Sequence, residues 1–241
     1  MVISITGIAM RIVPVLLLSA VVAMPAQAAI VTYQFTANVS GLTEHPGGTE
    51  IYNNVESSSS AGPTISVGDT WTGTVSWNTD LTLGSYQPEQ PEQASYRLYE
   101  GFMGATITDA QTGLSYSSDA DLAWLALMQV HDGVAGAESD FLSIGTHASG
   151  AGFESGDFFF FNYDGSSLSG DAPPASLNFA DYFTATVSYS FLDVGTENWM
   201  QANANITSLT LVTAPVPEPS TYAMLGLGLA ALAMTKKLRR A

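Results

Sequence analysis

Apolar and polar residues alternate strictly over the stretch that starts at position 31. Val31, Tyr33, Phe35, Ala37 and Val39 take one side, and Thr32, Gln34, Thr36, Asn38 and Ser40 take the other. Period two with β-branched and aromatic residues predicts a half-buried strand, which Gly41 is expected to end. The same pattern returns after a Gly68-Asp69 turn, where Trp71, Gly73, Val75 and Trp77 oppose Thr70, Thr72, Thr74 and Ser76. Both tryptophans lie on the apolar side and are expected to anchor the core. A third clean alternation puts Ala185, Val187, Tyr189 and Phe191 inward. Shorter strands are expected at 51–55, 65–67, 97–101, 105–109, 113–117 and 206–212, while 131–133, 141–145 and 150–156 read as a turn-rich part. The four consecutive phenylalanines at 158–161 read as a central strand buried on both faces. Residues 122–130 fit either a helical face or a buried strand, and nine residues without caps favour the strand.

Short strands separated by Gly-, Asn- and Pro-rich turns, with no convincing helix, predict an all-β fold. The expected architecture is an antiparallel two-sheet β-sandwich, jelly-roll-like in topology. No internal repeat interrupts it, so one domain is expected over 29–213.

The two ends of the chain follow other rules. Residues 1–28 read as a signal peptide, with Arg11 as its positive start and an apolar run at 12–24. Ala26-Gln27-Ala28 is the small-x-small signal, so cleavage is expected to leave Ala29 as the new N-terminus. The uncharged stretch before Arg11 favours a translation start at Met10 over Met1. At the other end, 214–241 is laid out in three parts. Val216, Pro217, Glu218, Pro219 and Ser220 come first, an apolar segment at 221–235 follows, and Lys236, Lys237, Arg239 and Arg240 form a basic tail. Roughly 15 helical residues at ~1.5 Å each span about 22 Å, short of a hydrocarbon core of ~30 Å. The segment is expected to be a single, marginal transmembrane helix, with the basic tail held in the cytoplasm by positive-inside logic.

Charge changes the picture next. Arg97 is the only basic residue between 29 and 217, against 21 acids, so this stretch carries a formal charge of −20. Such a surface repels phosphates and anionic headgroups, which excludes nucleic acid as a partner and leaves neutral glycans or divalent cations. The chain has no cysteine, so the exported domain relies on its core, and thiol catalysis and Cys-ligated metals are excluded.

The Pro-Glu-Pro core, the short apolar segment and the basic end, in that order, resemble the sorting signal of the bacterial PEP-CTERM family. Residues 65–80, with their Val-Gly-Asp turn and Gly-Thr strand, are similar to a segment recurrent in ectodomains of that family. The resemblance implies export through the Sec route and signal peptidase, then recognition by an exosortase, a multi-spanning membrane enzyme. It implies transient anchoring in the inner membrane of a Gram-negative bacterium and removal of the anchor near the Pro-Glu-Pro motif. It also implies a place at the cell surface or in the extracellular matrix, associated with exopolysaccharide and biofilm.

No catalytic constellation accompanies these signals. His45, His131 and His147 lack metal-ligand spacing, and His131-Asp132-Gly133 reads as a solvated loop pair. Calcium held by loop oxygens is the one cofactor left open. Asn162-Tyr163-Asp164-Gly165 and Asp132-Gly133 are the fragments that resemble such loops, and neither completes a known calcium loop, so no cofactor is expected. The sequons at Asn38 and Asn205 lie in strands and are chance matches. The resulting expectation is a non-enzymatic surface or matrix protein. The alternative is a carbohydrate-binding module stacking sugars on exposed aromatics such as Tyr86, Tyr96, Tyr99 or Trp199. A strip of exposed aromatics on one sheet face separates the two.

Overall fold

The computed structural model describes residues 30–83, 97–133, 138–150 and 152–213. The expected signal peptide with Ala26, Ala28 and Ala29, the polar loop with Tyr86 and Tyr96, and the expected sorting segment at 214–241 lie outside the described residues. One compact unit, Ile30–Ala214, holds everything described. Among the described residues its regular structure is strand, apart from two short 3-10 helices, Ala120–Leu125 and Phe179–Asp181.

Strand β1 (Ile30–His45) buries Val31, Tyr33, Phe35, Ala37 and Val39, as its alternation requires. It does not end at Gly41. Its register against the last strand, β14 (Asn198–Thr213), shifts between Val39 and Gly41, and beyond the shift Leu42 becomes the buried position. A β-bulge inserts one residue and exchanges the faces, so the glycine read as a stop is a corner inside a longer strand.

On the other side of β1 runs β5 (Thr70–Asn78), with Trp71 and Trp77 fully buried and Trp77 stacked on Tyr33 at 5.6 Å. The remaining strands are β2 (Asn53–Val55), β3 (Ser57–Ser58), β4 (Ile65–Ser66), β6 (Thr82–Leu83), β7 (Arg97–Glu100), β8 (Met103–Asp109), β9 (Leu114–Ser117), β10 (Leu127–His131), β11 (Asp140–Ser149), β12 (Phe153–Asn162) and β13 (Thr184–Asp193).

Every pairing is antiparallel, as expected, but the connectivity is not that of two separate sheets in jelly-roll order. Hydrogen bonding runs unbroken through β6-β7-β10-β11-β12-β13-β14-β1-β5-β8-β9, with β2 attached to β1, making one 12-stranded sheet beside a small β3-β4 ribbon. The layers arise because this sheet folds over on itself. β1 and β14 are 16 residues each and carry three register shifts between them, and bulges bend strands. Side chains from the two halves then meet in one core. Phe35 of β1 meets Phe158 of β12 edge-on at 5.4 Å, and Tyr116 of β9 meets Tyr189 of β13 at 5.9 Å. At the seam, the Asp119 N–H donates to the His147 carbonyl of β11 at 2.8 Å.

Residues 122–130 divide where a single strand was expected. Asp119 caps the first 3-10 helix by accepting from the Asp121 N–H at 2.8 Å, and β10 starts only at Leu127. Trp124, counted as buried in the strand reading, is 74% exposed on that helix.

The loop between β12 and β13 is pinned to the sheet by buried polar groups. Trp77 Nε1 donates to the Pro174 carbonyl at 2.8 Å, Tyr99 Oη to the Asp171 carbonyl at 2.6 Å, and Tyr33 Oη to the Leu177 carbonyl at 3.2 Å. Asp140, at the start of β11, accepts from the Ser167 and Leu168 N–H groups, both at 2.8 Å.

Candidate functional site

β12 sets the site by its alternation. Phe158 and Phe160 are fully buried, whereas Phe159 is 38% exposed and Phe161 half-buried on the opposite face. The expectation of burial on both faces is therefore corrected. Only one face of this half of the sheet is covered, and a four-residue apolar run carries no period that would reveal this.

The outward phenylalanines do not stand alone. Phe141 of β11 pairs across the strands with Phe161, and its ring lies 6.1 Å from Phe159 at 33°. Phe159 and Phe161 are 6.0 Å apart and nearly parallel, at 15°. The series continues edge-on from Phe161 to Tyr163 at 4.6 Å and from Tyr163 to Phe183 at 4.9 Å. Tyr163 is 64% and Phe183 73% exposed. The Phe183 N–H donates to the Phe161 carbonyl at 2.9 Å, which brings the loop end against the strand. Five aromatic side chains from β11, β12 and the two flanking turns thus form one ladder on the outer surface. His131 closes its inner end, 5.4 Å from Phe141. A contiguous exposed apolar strip of this kind is a binding surface more often than an accident of composition.

Its rim is acidic. Burial, then the neighbouring Asp140 and Asp171, raises the Asp132 carboxyl above its ordinary value. Asp164 is shifted the other way, chiefly by the Ser166 hydroxyl, which donates to it at 2.5 Å. The fragment at 162–165 therefore spends its oxygens locally. Asn162 Oδ1 accepts from the Asp164 N–H at 3.0 Å, and Asp132 offers its backbone N–H to Asp171 at 3.1 Å. Among the described residues no group of three or more His, Asp or Glu side chains is placed to hold a metal ion.

The structure scatters the other sequence-selected residues. Tyr99 is buried, with its hydroxyl committed to the Asp171 carbonyl, so it offers no stacking face. Trp199 is half-buried at the opposite end of β14, edge-on to the exposed Tyr52 at 6.1 Å, and His45 lies 4.6 Å from that tyrosine. His131 is not in a solvated loop pair. It closes β10 and is only 8% exposed, because its ring packs on Phe141. His147 packs on Phe153 at 5.2 Å, and burial lowers its pKa. Asn38 and Asn205 face each other across β1 and β14. Phe141, Tyr163 and Phe183 belong to the ladder, although the sequence pattern does not single them out. The available signal was outward spacing at 159, 161 and 163, hidden by Phe158 and Phe160.

Beyond the folded unit, a family model for the PEP-CTERM protein-sorting motif matches residues 215–240. The chain carries a PEP-CTERM protein-sorting motif. Val216, Pro217, Glu218, Pro219 and Ser220, with Lys236, Lys237, Arg239 and Arg240, all fall within the match. A PEP-CTERM motif means export, sorting through exosortase and a membrane-anchored signal directed towards the cell surface. Among the described residues no helix is long and apolar enough to cross a membrane, and the PEP-CTERM apolar segment at 221–235 lies outside them. No curated protein and no solved structure matches the chain.

Proposed function

We propose that this is a non-enzymatic protein of the cell surface or extracellular matrix of a Gram-negative bacterium, which holds neutral polysaccharide on its outer aromatic face. The anchor at 221–235 serves transiently, and the folded unit is delivered to the exopolysaccharide of a biofilm matrix. The observation that carries this reading is the ladder Phe141–Phe159–Phe161–Tyr163–Phe183. Sugar rings present apolar C–H faces, and rings already ordered by their neighbours lose little conformational freedom when a sugar settles on them. Each occupied ring contributes on the order of 0.5–1.5 kcal/mol, the range for aromatic pairs, so several together give weak binding that a long polymer strengthens by repetition. The formal charge of −20 over 29–217 disfavours anionic polymers and leaves neutral ones.

Affinity electrophoresis through gels containing dextran, hydroxyethyl cellulose or the neutral exopolysaccharide of the producing cell tests the proposal. At least one polymer is expected to retard the protein, and the Tyr163→Ala/Phe183→Ala variant is expected to be retarded far less. Both side chains are mostly exposed, so the double variant keeps its fold. Failure of all three polymers to retard the wild type, or equal retardation of the variant, overturns the glycan reading.

A further inference from the structure

A second surface combines aromatic and hydroxyl groups, on the far side of the core. Inward residues of β1 and β9 meet inward residues of β12 and β13 across the core, and β5 and β8 lie between β1 and β9 in the sheet, so the outward residues of β5, β8 and β9 point away from the aromatic ladder. There the outer face forms the floor of an open cleft of about 720 Å³. That volume falls within the ~300–1,000 Å³ of small-ligand sites.

The floor is a row of hydroxyls held in fixed orientations. Thr74 Oγ1 and Thr106 Oγ1 are 2.9 Å apart, Ser76 Oγ donates to the Gly104 carbonyl at 3.2 Å, and Ser118 Oγ accepts from the Ala105 N–H at 3.0 Å. Gly104 keeps the floor open, since a Cβ there would lie 3.1 Å from Ser76 Oγ and 3.5 Å from the Phe102 ring. Two aromatics stand on the rims, Phe102 at 47% exposure from the β7–β8 turn and Trp124 at 74% from the first 3-10 helix. Asp119, also on the lining, already accepts from Asp121 and Ser149, so its charge is partly spent within the fold. Exposed ring faces above a bed of oriented hydroxyls suit a saccharide, which offers a C–H face to the rings and hydroxyls to the floor.

We propose that this cleft is a second saccharide site, and that the cleft and the ladder together let one molecule bridge two polysaccharide chains. The inference rests on the glycan reading of the ladder and adds bivalency to it. Because the sites lie outside opposite halves of the folded sheet, two chains are held with the core between them. Cross-linking then follows from the monomer alone.

Light scattering from the full chain mixed with the polymer that retards it tests the proposal, with the monomeric state checked in the same samples. Scattering is expected to rise with protein, pass through a maximum and fall at excess, as bivalent bridging requires. The Phe102→Ala/Trp124→Ala variant is expected to remain retarded in gels through the ladder, with capture about tenfold weaker, yet to produce no scattering maximum. The Tyr163→Ala/Phe183→Ala variant is likewise expected to lose the maximum. Both substitutions remove exposed side chains, and unchanged melting temperatures confirm that neither acts by unfolding. Retardation of the wild type without a scattering maximum overturns bridging and leaves the ladder reading standing. A maximum that survives Phe102→Ala/Trp124→Ala overturns the cleft as its second site. Absence of retardation overturns the ladder reading and the bridging together.

Discussion

Asp140 joins the fold to the proposed site, and its removal has a calculable cost. The side chain is fully buried, and its carboxylate accepts four hydrogen bonds. Oδ1 takes the Gly133 N–H at 2.7 Å, while Oδ2 takes the Ser167 N–H at 2.8 Å, the Ser167 hydroxyl at 3.0 Å and the Leu168 N–H at 2.8 Å. These bonds tie the β10–β11 hairpin to the loop that leaves β12 beside Tyr163. Bonds to a charged acceptor contribute ~1.5–3 kcal/mol each, but desolvating the carboxylate costs several kcal/mol, so the four do not simply add. Asp140→Ala leaves three backbone N–H groups without partners in a half-buried setting, at ~1–3 kcal/mol each before relaxation, and we expect a loss of about 4 kcal/mol. Asp140→Asn keeps the shape but turns one acceptor into a donor facing N–H groups, for about 2 kcal/mol. At ~2–4 °C per kcal/mol for a unit of this size, the melting temperature falls by about 8–16 °C for Ala and about half that for Asn. Thermal unfolding followed by circular dichroism measures both, and amide exchange at Ser167 and Leu168 should accelerate first. An alanine variant melting within about 2 °C of the wild type would show that the loop is held by packing and that the four bonds are incidental.

Glu154 gives a pH-dependent test. Burial raises its pKa above the ordinary 4.5, with the Tyr189 hydroxyl donating to it and pulling partly back. A raised carboxyl makes the ionised form the less stable one in the folded state, so its cost is present at pH above the folded pKa and disappears below the unfolded value. Glu154→Gln is therefore expected to melt higher than the wild type at pH 8, with the gap closing as pH falls into the ordinary carboxylate range; a gap constant with pH would refute this. Gly73→Ala tests the close approach of β5 and β8. A Cβ there would lie 1.9 Å from the Thr106 carbonyl oxygen and 2.9 Å from Phe35, which forces the strands apart at a cost of about 3 kcal/mol. Urea unfolding reads this as a lower midpoint, and an unchanged midpoint would mean the sheet absorbs the methyl group.

Strands whose two faces differ in polarity were legible from the residues, and the others were not. β1, β5 and β13 alternate apolar with Thr, Ser or Asn, and each stands where that pattern puts it. β14 runs for 16 residues, but two of its inward residues between Met200 and Ile206 are Ala202 and Ala204, and alanine carries a weak strand signal. β12 begins at Phe153, ahead of the phenylalanine run, because Glu154, Ser155, Gly156 and Asp157 do not read as a strand without their neighbours. The folding of one sheet into two layers depends on bulges between β1 and β14, and register shifts leave no mark in a single chain beyond a glycine such as Gly41. The ladder was invisible for a related reason. Phe141 and Phe183 reach Phe159, Phe161 and Tyr163 only through cross-strand register and a loop return, so their proximity is a property of pairing.

On the proposed function, charge and aromatic surface discriminate between polymers in different ways. At physiological ionic strength the Debye length is about 8 Å, so the domain's acids act on a polymer only once it is nearly in contact. Stacking on Tyr163 or Phe183 requires that contact, with Asp164 and Asp181 each within two residues of one of these rings in the chain. A uronate-bearing chain meets repulsion at the distance where the rings would begin to hold it, whereas a neutral chain meets none. Processing sharpens the discrimination. Arg11 falls in the expected signal peptide and Lys236, Lys237, Arg239 and Arg240 in the sorting segment, so a unit freed of both would keep Arg97 as its single base against 21 acids. The tail that directs sorting is also most of the chain's positive charge, so on the proposed transient anchoring its removal would favour neutral glycan over anionic polymers.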